Sequence, residues 1–210
     1  MTNETSGGVE TSDHGAGHDP LRPFELRGPI ETSRLRLRPF VAGDLDALFS
    51  YQSRDDVTRY LLWGARGRDE VRGALELKIA ATAIRAEGDF LALAAESVST
   101  GEIVGDAVLG LVSEEHAHGE IGYIVHPDHH GNGYATEMAR PLLRIAFDDL
   151  GLHRVTGVLD ARNAASARVL EKLGMRREGH LVENDFVKGE WQSELIYAIL
   201  ATEWRAALES

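Results

Sequence analysis

The sequence predicts an α/β domain with a mixed, mostly antiparallel sheet, and three observations carry that prediction. Runs of apolar residues with period two are interleaved along the chain with runs of helical period, not segregated from them. Three consecutive β-type runs, joined by short polar connections, read as an antiparallel meander. Finally, a strand that stops at Pro127 leads through a glycine-rich turn into a helical pattern from about Tyr134. Strand, glycine turn and helix N-terminus together build an anion site from backbone alone. The first helical N–H groups lack intrahelical partners, and the dipole adds about half a positive charge there.

At 210 residues the chain is one domain plus a tail. Residues 1–29 are rich in Gly, Ser, Thr, Asp and His, with Pro20, Pro23 and Pro29, and read as a disordered or extended tail; the domain is expected over 30–210. Arg and Leu alternate through residues 34–38, which makes a half-buried strand with Leu35 and Leu37 inward, ended by Pro39. Asp44 reads as the N-cap of a helix carrying Leu45, Leu48 and Phe49 on one face. A short helical stretch is expected from Asp55 to Leu62. A longer helix follows from Asp69 to Arg85, stopped by Glu87-Gly88-Asp89. The meander spans Phe90 to Ser97, Glu102 to Val112 and His118 to Val125. A helix to about Leu150 comes next, with Pro141 inside it predicting a kink or widening between Glu137 and Pro141. A strand from Arg154 to Leu159, a helix from Asn163 to Leu173, and strands over Met175–Val187 and Trp191–Ala201 complete the order.

Composition excludes several classes. With no cysteine there is no disulfide, thiolate nucleophile or Cys-ligated metal. No apolar run approaches the roughly 18 residues that span a bilayer, and no basic-then-apolar leader opens the chain, so a cytoplasmic protein without a membrane partner is expected. A net charge of −12, from 22 basic and 34 acidic residues, argues against nucleic acid and suits a cationic amine. The turn lacks the Lys-Ser/Thr of a nucleotide loop, since Tyr134-Ala135 follows Gly133. A pyrophosphate held without lysine or metal is therefore the expected anion. His126, His129 and His130 lack a carboxylate pattern that would make them a metal site.

The turn reads His130-Gly131-Asn132-Gly133-Tyr134-Ala135, close to the Gln/Arg-x-x-Gly-x-Gly/Ala motif of acyl-CoA N-acyltransferases, with His in the first place. Around it lie Glu120-Ile-Gly-Tyr123, Gly133-Tyr-Ala-Thr-Glu137, Leu152-His-Arg154, Asn163-x-x-Ser166, Leu170-Glu-Lys-Leu-Gly-Met175 and Gly189-Glu-Trp191. On these stretches, in this order, the chain resembles the GNAT superfamily from about Leu35 to Trp204, and within it the ribosomal-protein N-terminal acetyltransferases (RimJ/RimL-like). The resemblance implies a GNAT-type fold, with a seven-stranded sheet flanked by about four to five helices.

It also implies acetyl-CoA as cosubstrate, with no metal. The coenzyme would be held by backbone at Ile124, Val125 and His126, by the turn His130, Gly131, Asn132, Gly133, Tyr134, Ala135 and Thr136, and by Asn163. The Val125 N–H would face the oxyanion. Asn163 also makes a good helix N-cap with Ser166 at the third position. By resemblance, Ser166 lies near the thioester sulfur as proton donor, because Leu170 stands where many relatives carry a Tyr. An alkyl amine must lose a proton before attack, and Glu120 and Asp185, with Glu183 beside the latter on the same strand face, are both candidate bases, unless Arg177 or Lys188 pairs with them. Tyr60, Trp63 and the arm before Leu35 are expected to wall the acceptor pocket. The implied reaction is direct acetyl transfer to a primary amine, foremost a protein N-terminal α-amino group. The alternatives are a small amine such as a polyamine or aminoglycoside, a longer or acidic acyl group, and a non-catalytic acyl-CoA-binding protein. A homodimer is among the expected states.

Overall fold

A computed structural model describes residues 21–209; most of the expected tail, with His14 and His18, lies outside the described residues. The sheet has eight strands in the order β2-β3-β5-β6-β7-β8-β10-β9, and a two-stranded sheet pairs β1 with β4. Its strands are β2 (Ile30–Glu31), β3 (Leu35–Pro39), β5 (Phe90–Ser97), β6 (Ile103–Ser113), β7 (His118–Val125), β8 (Arg154–Asp160), β9 (Arg176–Val187) and β10 (Glu190–Leu200). Six α-helices accompany them: α1 (Leu45–Gln52), α2 (Asp55–Thr58), α3 (Arg68–Ala80), α4 (Tyr134–Arg144), α5 (Ala164–Lys172) and α6 (Ala201–Leu208). No described helix is long and apolar enough to cross a membrane.

The mixed, mostly antiparallel architecture is as expected, but the counts exceed the expectation at the chain's two ends. β2 is two residues long, too short for alternation to reveal. The chain turns helical at Ala201, where Trp204 is buried among core residues. Residues 21–29, expected as tail, form a packed arm. Arg22 N–H donates to the Leu150 carbonyl at 3.0 Å, β1 (Phe24–Glu25) pairs with β4 (Ala83–Ile84), and Leu26 N–H donates to Thr82. Leu21, Phe24 and Leu26 carry enough apolar surface to hold this proline-rich stretch against the core. For the same reason α3 stops at Ala80: residues 83–84 leave the helix to pair with the arm, and Ile84 is fully buried.

Pro141 does not break its helix. α4 runs through it to Arg144 and widens only afterwards, in a π-helical stretch Ile145–Asp149 closed by Leu150 N–H to the Ile145 carbonyl. Met138, Ala139, Leu142 and Leu143 are all fully buried on the sheet. At about 1.5–3 kcal/mol for each large side chain, that packing outweighs the ~3 kcal/mol cost of an interior proline.

The sheet buries both faces, unequally. α4 and α5 cover one face along most of its width, over Leu109, Ile121, Val155 and Leu159. α1 and α3 cover the other only over β5 and β6, where Phe40, Leu48, Tyr51, Val71 and Leu75 meet Ala92 and Ala94. On that second face β7, β8 and β10 are left open beside α1–α3. β7 pairs with β6 along its length, yet its parallel pairing with β8 covers only His118–Arg154, Gly119–Val155 and Glu120–Thr156. Beyond Glu120 the two strands part and leave a wedge.

Gly105, opposite Val125, lets β6 and β7 approach closely along that wedge: a Cβ there would lie 2.2 Å from the Ile124 carbonyl oxygen. Gly105→Ala is expected to cost about 1–3 kcal/mol. Thermal denaturation should show this as a lower midpoint, roughly 2–4 °C for each kcal/mol; an unchanged midpoint would mean the strands separate freely there.

Candidate functional site

The wedge holds a cavity of about 520 Å³ between β7, the glycine turn and α5. It is lined by Ile124, Val125, His130, Gly131, Gly133, Tyr134, Ala135, Thr136, Asn163 and Ser166. Most of the side chains and turn residues expected around the coenzyme are thus brought together. His126 N–H donates to the Val104 carbonyl at 2.8 Å. Strand N–H groups alternate sides, so the Val125 N–H points away from β6 into the wedge, where β8 no longer pairs with it. An extended chain laid in the wedge would find that donor.

The turn fits an anion. Gly131 and Gly133 sit at φ 80° and 79°, a conformation that costs a side-chain-bearing residue strain. Among the described residues, no N–H of residues 131–136 donates to a protein acceptor; the first such bond is Glu137 N–H to the Gly133 carbonyl. The loop is braced from outside by Arg34. Its guanidinium pairs with Glu137 at 2.6 Å, donates to the Asn132 carbonyl at 2.9 Å and lies over the Tyr134 ring. Thr32 and Ser33 hydroxyls also donate to Glu137. Burial pushes the Glu137 carboxyl up, but these donors win and hold it below the ordinary range.

Two expected coenzyme residues, His126 and His130, are engaged otherwise than the resemblance implied. His126 does not line the cavity: its ring accepts from Asp128 N–H and packs edge-on to Tyr51, and its N–H is spent on β6. The Asn132 side-chain amide donates back to the His129 carbonyl, which leaves its backbone for the role expected of it. The His130 ring places Nε2 3.0 Å from the Val125 carbonyl. A carbonyl only accepts, so Nε2 is the donor, and the neutral ring has no second N–H for a phosphate. Arg168 and Lys172 on α5 also line the cavity; their four-residue spacing after Asn163 was the available signal for a basic stripe on that helix.

Asn163 is the N-cap its sequence position suggested, accepting from Ser166 N–H at 3.0 Å, and it lines the cavity as well. The Ser166 hydroxyl lies 2.9 Å from the Tyr123 hydroxyl, which β7 brings across the wedge. Burial raises the Tyr123 phenol to about 12, so it stays protonated as a donor. In the sequence, Tyr123 stands out only as part of the Glu120-Ile-Gly-Tyr123 stretch, with nothing to tie it to Ser166. A phenol arriving from another element leaves no spacing to detect.

A second cavity of about 380 Å³ opens on the sheet's uncovered face, under Gln52, Tyr60, Trp63, Arg66 and Lys78. It shares Tyr60, Leu61, Tyr123, Ile124, Asn163 and Ser166 with the first, so the two meet at the Tyr123–Ser166 pair. Tyr60 and Trp63 both line it; residues 21–23 of the arm before Leu35 line a separate hollow with Leu111 and Leu150. Asp106, 1% exposed, forms its floor, with Tyr51 and Lys78 each donating to it at 2.6 Å.

Opposed residues on paired strands share a face, so the register sets Glu120, Gly122, Thr156, Asp160 and Glu194 on this same open face. Glu120 stands where β7 and β8 part. Burial first, then the nearby Glu194, raise its carboxyl above the ordinary range. Glu194 is raised in turn by burial and by Asp185, whose carboxyl is its hydrogen-bond neighbour. The two candidate bases are thus linked through a carboxylate that the sequence reading missed. Glu183 does not share Asp185's face. The register slips from Gln192–Asp185 to Glu194–Leu181, and Glu183, at φ 48°, occupies the resulting bulge with its N–H on Ser193 Oγ. Arg177 and Lys188 pair with none of these carboxylates among the described residues. Lys188 instead donates to the Thr58 and Arg59 carbonyls at 2.8 and 3.0 Å, tying the β9–β10 turn to the end of α2. Asp160 is held by Arg162 at 2.6 Å. No cluster of three His, Asp or Glu among the described residues is arranged to hold a metal.

A family model for the acetyltransferase (GNAT) domain matches residues 34–176. The uncharacterized N-acetyltransferase YnaD of Bacillus subtilis is 33% identical over 175 residues, which cover 83% of this chain and 98% of YnaD. Spermidine N(1)-acetyltransferase of Vibrio cholerae is 26% identical over 172 residues, 82% of this chain and 96% of that protein. A GNAT-family acetyltransferase from Bacillus anthracis, solved by crystallography, superposes with a TM-score of 0.74 at 30% identity, covering 83% of this chain and 99% of its own.

Because Arg34 and Glu137 brace the anion loop from outside, Arg34→Ala is expected to weaken acetyl-CoA binding about three- to tenfold, measured by calorimetry. The Glu137 carboxyl is depressed in the folded state. Its bracing is therefore complete above the unfolded value near ~4.3 and is lost as pH falls through the lower folded value. Wild-type affinity with no loss on truncating Arg34 would show that the loop holds itself.

Proposed function

We propose, from the premise that this chain belongs to the GNAT acetyltransferase family and is an acetyl-CoA-dependent N-acetyltransferase, that Glu120 is its general base and a polypeptide N-terminal α-amino group its acceptor. The observation that carries the reading is the meeting of the two cavities at Tyr123 and Ser166, one bounded by the anion turn and the other by Val108, Gly122 and Val158 on the sheet face where the register also sets Glu120. Coenzyme A would lie along the wedge with its pyrophosphate on the N–H groups of residues 131–136, and with Arg168 and Lys172 toward its phosphates. The amine would approach from the second cavity.

The proposed steps follow from the donors and acceptors present. Glu120, directly or through a water, takes a proton from the amine. The nitrogen lone pair attacks the thioester carbonyl carbon, and the Val125 N–H stabilises the negative charge that develops on its oxygen. The C–N bond forms and the C–S bond breaks; the proton still carried by the attacking nitrogen passes through the Tyr123–Ser166 hydroxyl pair to the departing thiolate, so that Ser166 regains a proton as it gives one up. A thiol of pKa ~8.5 is a tolerable leaving group, so this donor need not be strong. The raised Glu120 carboxyl is a better base than an ordinary one and is matched to an α-amine of pKa ~7.7–8.0, which loses its proton more easily than a lysine-type amine. A ribosomal-protein type of acceptor, as in the RimJ/RimL-like branch, fits this reading. A polyamine is the second reading, favoured by the acidic face of Glu120, Glu194 and Asp185 and by the likeness to the Vibrio cholerae spermidine enzyme.

Thiol release from acetyl-CoA, followed with a panel of peptides and polyamines, tests both. Glu120→Gln should lower kcat by about 10²–10⁴-fold; full turnover in that variant, with loss in Asp185→Asn, would move the base to Asp185. Because burial and Glu194 raise the Glu120 carboxyl, the acid limb of kcat/KM should lie above the ~4.3 of a free glutamate. Glu194→Gln removes a neighbouring negative charge and should shift that limb downward. An upward or absent shift would separate the limb from Glu120.

A further inference from the structure

The second cavity carries a feature that neither a simple amine nor a polyamine uses. Arg66 lies in its wall, half-buried, with its guanidinium stacked on Trp63 at 3.8 Å from the ring centroid. Its backbone N–H donates to the Gln52 carbonyl at 3.0 Å, and Nη1 donates to Gln52 Oε1 at 2.9 Å. Gln52 is itself buried at the end of α1. Both contacts fix the plane of the fork, yet they use one of its five donors. No carboxylate forms an ion pair with Arg66 among the described residues. The other cation in the wall, Lys78, is already matched by Asp106 at 2.6 Å. Burial lowers the Arg66 guanidinium from its ordinary value, and the nearby Glu70 and Asp106 offset this only in part, the mark of a charge taken from water without full compensation. Arg66 is thus an oriented, partly desolvated fork facing the cavity whose other end meets Ser166 and Tyr123.

We propose that the acceptor is a bifunctional molecule, an amine that also carries a carboxylate, with Arg66 binding the carboxylate while the amine faces the thioester and Glu120. This rests on the reading of the second cavity as the acceptor site. A planar fork suits a planar carboxylate bidentately, and stacking on Trp63 keeps the edge free for it. The same arrangement rejects a polyamine. A cationic chain would set a second positive charge against Arg66, whereas an amine–carboxylate has one charge for each end of the pocket. Two sources share this chemistry: a free amino acid, through its α-carboxylate, and a polypeptide whose first residues are acidic.

Matched acceptor pairs separate them. Glutamate would be compared with its α-amide, and a Glu-initiated peptide with its Gln-initiated counterpart, with spermidine alongside. For wild type and Arg66→Gln, thiol release would give kcat/KM, and calorimetry would give binding to the CoA-loaded protein. Wild type should prefer the acid of one pair, and Arg66→Gln should reduce that acid-over-neutral ratio about 10- to 100-fold through KM. Arg66→Lys, which keeps the charge and loses the fork, should recover part of it. Unchanged acetyl-CoA affinity in both variants excludes misfolding. Which pair responds names the source. An unchanged ratio with turnover intact, or spermidine as the preferred wild-type acceptor, overturns the role of Arg66 and leaves the transferase reading standing. Arg66-dependent binding of the acid without any thiol release would do the reverse.

Discussion

The site exists because β7 and β8 cannot stay paired. Their parallel contact lasts three residues, to Glu120 and Thr156, after which β7 continues on β6 and β8 continues on β10. Buried strand N–H groups ordinarily find partners, and here the Val125 N–H is left facing a cavity. That exposed edge is the price of a slot in which an extended substrate can complete the ladder. The close approach at Gly105 keeps β7 on β6, and Leu170 of α5 packs against Gly157 of β8. Packing on both sides thus holds the wedge open.

Around the slot, charge is distributed by region. The glycine turn and α5 offer backbone donors and basic side chains. The open face of β7, β8, β9 and β10 offers Glu120, Glu194 and Asp185; burial and a neighbouring carboxylate raise the first two. The buried Tyr51–Asp106–Lys78 group is satisfied internally, with the Tyr51 phenol pushed well up by burial and by Asp106. It anchors α1 and α3 to β6 beneath the cavity. Such a group adds little stability on its own, but losing one partner would strand a charge under the second cavity.

Two contacts across long sequence separations give the site its shape. Arg34, in the connection between β2 and β3, braces the anion turn through Glu137 and Asn132, so the first sheet hairpin fixes the geometry of a loop roughly 100 residues later. Lys188, at the β9–β10 turn, clasps the end of α2, which joins the carboxylate-bearing strands to the segment carrying Tyr60 and Trp63. A mutation in either strut would alter the site without touching a ligand.

Local rules made much of this legible in the chain. Period-two alternation marks the strands, Gly131 and Gly133 mark a backbone that must turn left-handed before a helix, and Asn163 marks a cap; all depend on residues within a few positions of one another. Longer-range features were not legible. Alternation says which residues share a face but not which strand lies beside them, so Glu194 between Glu120 and Asp185, and Tyr123 against Ser166, emerged only from the register. A two-residue slip in β9 removed Glu183 from Asp185's face, and the arm at 21–29 gained order from a core its own sequence does not describe. The sequence by itself determined an α/β domain with an anion-binding turn, because propensity and backbone strain act locally. Only the tertiary structure decided where the strands part, which carboxylates couple and that Arg66 stands in the second cavity without an ion pair among the described residues, because those depend on neighbours set by packing across the whole chain.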